Sequence, residues 1–190
     1  SEELARQIKS ILPGADEEQS ILVVGLGKRD VTADALGPGV VDNLFVTRHI
    51  VREYGKAAYS KERMNMVSGI APGVMAATGM EAAEIVKGVV EQTKPDLILV
   101  VDALAARSTK RLNRTIQVTD TGIQPGSGVG NHRNALTRDN LGVPVIAVGV
   151  PTVVDAATIV VDAIEKLQKE LPEKDRLFGT DSIRTMSQLN

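Results

Sequence analysis

Two aspartates carry the chemistry that this sequence offers. Asp34 follows the apolar run Ile21–Gly25 across a glycine turn, in ILVVGLGKRDVTADALGPGVVDN. Asp102 ends a second apolar run, in DLILVVDALAARS. Carboxylates at the mouths of two buried strands point to acid–base chemistry. Two acids held close cannot both ionise cheaply, so one keeps a proton near neutral or mildly acid pH. The ionised partner can then draw a proton from water while the protonated one polarises a carbonyl. Neither a metal nor a nucleophilic side chain is needed. Each acid also has a plainer reading. Asp34 is suitably placed to cap a helix by accepting orphan backbone N–H groups, and Asp102 to anchor a loop. Asp30 shares the loop of Asp34 and is a plausible decoy. Asp120 and Asp155 fall at element ends and read as structural.

Other chemistries find less support. GLGKRD lacks the third glycine of a dinucleotide fingerprint, and no acid follows at the right distance. Neither a Walker A sequence nor a GxSxG elbow is present. The chain has 2 histidines, His49 and His132, and neither lies in a metal-ligand motif, so no metal or cofactor is expected. A metal site built from Asp34, Asp102 and one histidine remains chemically reasonable. The segment GIQPGSGVGN offers Gly126, Ser127, Gly128 and Gly130. Such a backbone can approach a peptide closely and present N–H donors to a developing oxyanion; a plain long turn is the competing reading. Ser127 is not read as a nucleophile. The basic run RSTKRLNR, Arg107–Arg114, is either a solvated face or a contact for substrate or subunit.

The elements that must position these residues alternate between strand and helix. Continuous apolar runs at Ile21–Gly25, Leu97–Val101 and Val143–Val150 read as buried strands. Shorter strands are expected at Met64–Ile70 and Thr115–Val118. Helical spacing marks Glu2–Leu12, Asp34–Val46, Gly79–Gln92 and Val153–Leu171, with Arg52–Arg63 as a surface excursion and a polar tail from Pro172. Strands apolar on both faces imply an α/β fold: a mostly parallel sheet with helices on both faces. In such sheets the ligand crevice lies beyond the carboxyl ends of the strands, which is where both acids fall if their strands are neighbours.

Composition sets the outer bounds. The chain has 190 residues, enough for one domain with an ordinary apolar core. Aromatics make up 2% and Trp is absent, which argues against nucleic-acid binding on stacked aromatic platforms. A net charge of −2 suggests no polyanionic partner. With no cysteine, disulfides, thiolate catalysis and zinc–thiolate sites are excluded. The longest apolar runs have strand length, so no membrane span is expected and a cytoplasmic location is the default.

The segments VVGLGKRDVTADALGP, VTRH, APGVMAATGME, KPDLILVVDALAARS, TIQVTDTGIQPGSGVGN and GVPVIAVGVPTVVDA closely resemble the spore germination protease family, in order, from about Ile21 to Ile159. The resemblance implies an endopeptidase of the spore core that degrades small acid-soluble spore proteins at germination, cutting after a glutamate and before an apolar residue. It implies an atypical aspartic protease, once grouped with metalloproteases, whose essential acids match Asp34 and Asp102. A fold similar to hydrogenase maturation endopeptidases, a zymogen and a homo-oligomeric, tetrameric assembly are implied as well. A glutamate preference requires a cation, for which Arg107, Arg48 and Lys28 are candidates, and the glycines Gly126–Gly130 would shape the cleft. Compared with the family pattern, the chain is expected to form a single catalytic domain over residues 1–190, without the family's N-terminal propeptide and most of its C-terminal extension. Gln124 stands where the family often has histidine.

Overall fold

A computed structural model describes residues 2–12, 14, 18–55, 64–126 and 134–171. The chain opens with helix α1 (Glu2–Ile11), then strand β1 (Ser20–Gly25). A 3-10 turn (Thr32–Asp34) leads into α2 (Leu36–Asp42) and α3 (Arg48–Tyr54). After strand β2 (Met66–Ile70) come α4 (Met75–Thr78) and α5 (Ala82–Thr93). Strand β3 (Leu97–Ala106) is followed by a second 3-10 turn (Thr109–Arg111) and strand β4 (Gln117–Thr119). The helix α6 (Arg138–Leu141), strand β5 (Val145–Val154) and helix α7 (Ala156–Glu170) complete the described chain.

The five strands form one sheet in the order β2-β1-β3-β5-β4. β1 pairs in parallel with β2 and β3, and β3 with β5, while β4 joins β5 antiparallel at the edge. The α/β expectation holds, and β1, which leads into the Asp34 turn, is the immediate neighbour of β3, which carries Asp102. Alternation along each strand sorts the side chains. Leu22 and Val24 of β1, Ile98 and Val100 of β3, and Val145 and Ala147 of β5 share one core with Ala82, Val86 and Val90 of α5. Asp102, two and four residues on from Val100 and Ile98, therefore points to this α5 side of the sheet. Among the described residues no helix is long and apolar enough to cross a membrane.

Several boundaries differ from the sequence reading. β3 does not end at Asp102: it runs to Ala106 because β5 keeps pairing with it after β1 has stopped. The helix expected over Asp34–Val46 splits into the 3-10 turn and α2, and ends at Asp42. The split follows from packing: a Cβ on Gly37 would overlap the backbone of Leu26, so α2 begins pressed against the end of β1. His49 lies in the first turn of α3. The excursion expected at Arg52–Arg63 begins inside α3, and its residues 56–63 lie outside the described chain. β5 extends to Val154, and α7 starts only after Asp155, whose carboxylate accepts the Thr158 N–H at 2.9 Å as an N-cap. The polar tail lies outside the described residues.

Candidate active site

The first acid is placed by a glycine. Gly27 adopts φ +114, a conformation that a side chain disfavours, and a Cβ there would overlap the Asp34 carbonyl oxygen. With only hydrogen at Gly27, the loop folds back until the Lys28 N–H donates to Asp34 Oδ2 at 2.7 Å. Asp34 is therefore no helix cap: the residue before α2 is Ala35, and no side chain caps that helix. The loop is fastened again from the other side of the cleft. The Thr152 hydroxyl of β5 donates to the Ala33 carbonyl at 2.5 Å. Thr152 is the extra residue of an irregularity where the β3–β5 register passes from Leu104↔Pro151 to Ala105↔Val153. An ion pair between Arg29 and Asp42 ties the same loop to α2.

The second acid is placed by the ends of the strands. β1 pairs with β3 only as far as Gly25↔Val101, and the Leu26 N–H closes that ladder on the Val101 carbonyl at 2.8 Å. Asp102 is the next residue, paired with Gly149 of β5 on its other side. Its carboxyl is buried, 7% exposed, and Oδ1 accepts the Ala103 N–H at 2.9 Å. That bond stays within β3 and engages one oxygen, so it is not the loop anchor expected as the plainer alternative. Burial pushes the Asp102 carboxyl up from 3.8 to about 7, the Ala103 N–H opposes the rise, and the negative charge of Asp34 adds to it.

Both acids line one open cleft of about 700 Å³ that begins beyond the end of β1 and runs along the last residues of β3. Its walls include Gly27, Ala33, Gly73, Val74 and Ala82 on one side and Ala103–Arg107, Thr152 and Val153 on the other. Of the expected substrate-binding residues, Gly126 and Arg107 line the cleft. Ser127, Gly128, Gly130 and His132 lie outside the described residues. Of the three candidate cations, Arg48 and Lys28 are not in the cleft wall. Arg111 and Thr152 are; Arg111 belongs to the basic run read as a candidate substrate contact but was not singled out within it, and Thr152 was missed. Arg111 comes from the second 3-10 turn, which is fixed when Asp162 of α7 accepts the Thr109 N–H at 2.6 Å and the hydroxyls of Ser108 and Thr109. These bonds hold the Asp162 carboxyl below the ordinary aspartate range, the Thr109 hydroxyl foremost. The run Arg107–Arg114 is thus part cleft wall and part docked turn, not a uniformly solvated face. His49 lies on the exposed part of α3 and is not among the cleft residues. Among the described residues, no group of three His, Asp or Glu side chains could hold a metal ion.

Sheet and cleft together define an α/β protein with a candidate acid–base centre at the topological mouth of its parallel strands. A family sequence model described as germination protease matches residues 1–186, and the chain belongs to that family of peptidases. It is 55% identical over 167 residues to the germination protease of Caldanaerobacter subterraneus subsp. tengcongensis, covering 88% of this chain and 51% of that one. With the germination protease of Bacillus subtilis it shares 55% identity over 153 residues, 80% of this chain and 41% of the relative. The chain thus spans about half the length of the curated relatives it matches. Among solved structures it is similar to a NiFe-hydrogenase maturation protease from Thermococcus kodakarensis, at 17% identity and TM-score 0.46, covering 86% of this chain and 97% of that one.

Proposed function

We propose that this chain carries the endopeptidase centre that cuts small acid-soluble spore proteins in the germinating spore, with Asp34 as general base and Asp102 as general acid. The observation that carries the reading is the different setting of the two acids in one cleft. Asp102 is buried and holds its proton to about pH 7, whereas Asp34 sits nearer solvent and its charge contributes to that shift. Environments that separate two carboxyls in this way assign acid and base.

The proposed reaction balances without a cofactor. Asp34 removes a proton from water as its oxygen bonds to the substrate carbonyl carbon. The Asp102 proton passes to the carbonyl oxygen, giving a neutral tetrahedral diol. When the C–N bond breaks, Asp34 returns its proton to the leaving nitrogen, and a diol hydroxyl returns one to Asp102. A carboxylic acid and an amine leave, and both aspartates regain their starting states. Arg107 and Arg111 supply positive charge to the cleft, which supports an acidic side chain in the substrate.

Incubating the chain with a purified small acid-soluble spore protein tests this directly. One cut, after a glutamate by mass spectrometry and unaffected by chelator, is the expected result. Intact substrate across pH 5 to 8 would overturn the reading, and loss of cleavage on chelation with recovery on one metal would replace it by a metallopeptidase.

A further inference from the structure

The cleft is bordered by an unpaired length of strand. β1 makes its last bond to β3 at Val101, yet β3 continues through Asp102–Ala106 paired with β5 alone, the 3-10 turn Thr32–Asp34 packing against both strands. The direction of each backbone group follows from bonds on the two sides. The Ile98 N–H donates toward β5, to the Pro144 carbonyl, and the Val101 carbonyl accepts from the β1 side. N–H and C=O of one strand residue point the same way and alternate along the chain. Leu104 and Ala106 therefore serve β5, while Ala103 and Ala105 turn their backbone groups toward the vacated side. The Ala103 N–H is already taken by Asp102 Oδ1. Among the described residues no strand pairs with β3 on that side beyond Val101, and both alanines line the cleft.

We propose that the substrate binds by strand addition: an extended peptide occupies the path β1 would take beyond Leu26, pairs with Ala103 and Ala105, and carries one of its carbonyls past Asp102 and Asp34. An exposed edge of this kind gives affinity through the main chain and leaves side-chain pockets to set preference. Four rises from Asp102 to Ala106 make an edge of roughly 13 Å, room for about five extended residues. The outer edge of β2 is partly taken by Thr47, which bonds both backbone groups of Val67, and neither that edge nor the edge of β4 borders both acids. At the far end of the β3 edge stands Arg107, so charge complementarity favours a peptide with an acidic residue over an apolar one throughout. The inference rests on the peptidase reading for its substrate class, and it adds how that substrate is held.

A peptide series separates the two. The probe is an octapeptide with one central Glu–Ile bond, together with versions N-methylated at one amide each. Strand addition predicts that kcat/KM falls about tenfold for alternate amides, those facing Ala103 and Ala105, and little for the amides between them. Ala105→Pro removes the cleft-facing N–H and leaves the bonds of Leu104 and Ala106 to β5, so it should slow the parent peptide about tenfold, with the melting temperature read alongside to separate any loss of fold. Cleavage of the parent peptide with losses that do not alternate would overturn strand addition and leave the peptidase standing. If the parent is not cut, the peptidase reading fails. Strand addition is then judged by amide exchange: protection gained at Ala105 with peptide present keeps it, and no gain rejects it.

Discussion

Replacing Asp102 by asparagine should change how the stability of this protein depends on pH. The carboxyl is raised from 3.8 to about 7, a shift of about three units, each worth about 1.4 kcal/mol. Between those values the folded chain holds a proton that the unfolded chain has released. Stability therefore falls as pH rises through this window; the penalty is absent below about 4 and complete above about 7. The substituted side chain cannot ionise, and its amide oxygen can still accept the Ala103 N–H. The Asp102→Asn variant should thus gain on the parent by about 4 kcal/mol between pH 4 and pH 8, on top of any constant offset. In a chain of this size that corresponds to a relative melting shift of roughly 10 °C. Urea unfolding of both proteins at each pH unit from 4 to 8 reads the gap, because other titrating groups cancel in the difference. Parallel profiles would refute the reasoning, since they would mean that burial at the end of β1 does not perturb this carboxyl.

Further outcomes follow from the same geometry. Turnover should decline as pH rises through about 7, where Asp102 loses the proton it must donate; a rate still flat at pH 9 would remove it as the acid. Thr152→Val should lower kcat by roughly tenfold to a hundredfold with KM little changed, because the Ala33 carbonyl loses its partner and Asp34 drifts, while Thr152→Ser should restore the rate. Equal losses in both variants would show that packing, not the hydroxyl, matters at that position. Gly27→Ala should destabilise by more than about 2 kcal/mol, because the φ of +114 is strained for alanine and its Cβ meets the Asp34 carbonyl; a denaturant midpoint within error of the parent would contradict this.

How much of this could be read from the sequence depended on the range of the interaction involved. β1 and the first half of β3 are continuous Val, Ile and Leu, so their burial was legible; Asp102, however, lies within β3 rather than at its end, and Asp34 in a 3-10 turn beyond β1. The second half of β3, Ala103–Ala106, carries no strong strand signal. It is a strand because β5 bends past it with one extra residue, Thr152, and that pairing is invisible locally. Asp34 looked like a helix cap because Leu36–Asp42 does follow it. Only the close seating of Gly37 against Leu26 reveals that the helix starts later and that the carboxylate folds back onto the Lys28 N–H. Thr152 was missed, and Arg111 was not told apart from its basic neighbours, for a related reason. Thr152 reaches the cleft from a strand distant in sequence, and the turn that sets Arg111 apart from its basic neighbours is fixed by Asp162, more than fifty positions further on. Capping by Asp155, by contrast, is a local event, and its structural role was legible from position alone.

Turnover of a purified small acid-soluble spore protein by Asp34→Asn and Asp102→Asn, each alone and both together, tests the acid pair most directly. If the two carboxyls act as one unit, each single change should cost about a hundredfold or more in kcat, and the double variant should be no slower than the worse single. Near-parental turnover in either single variant, with the fold intact, would contradict the account.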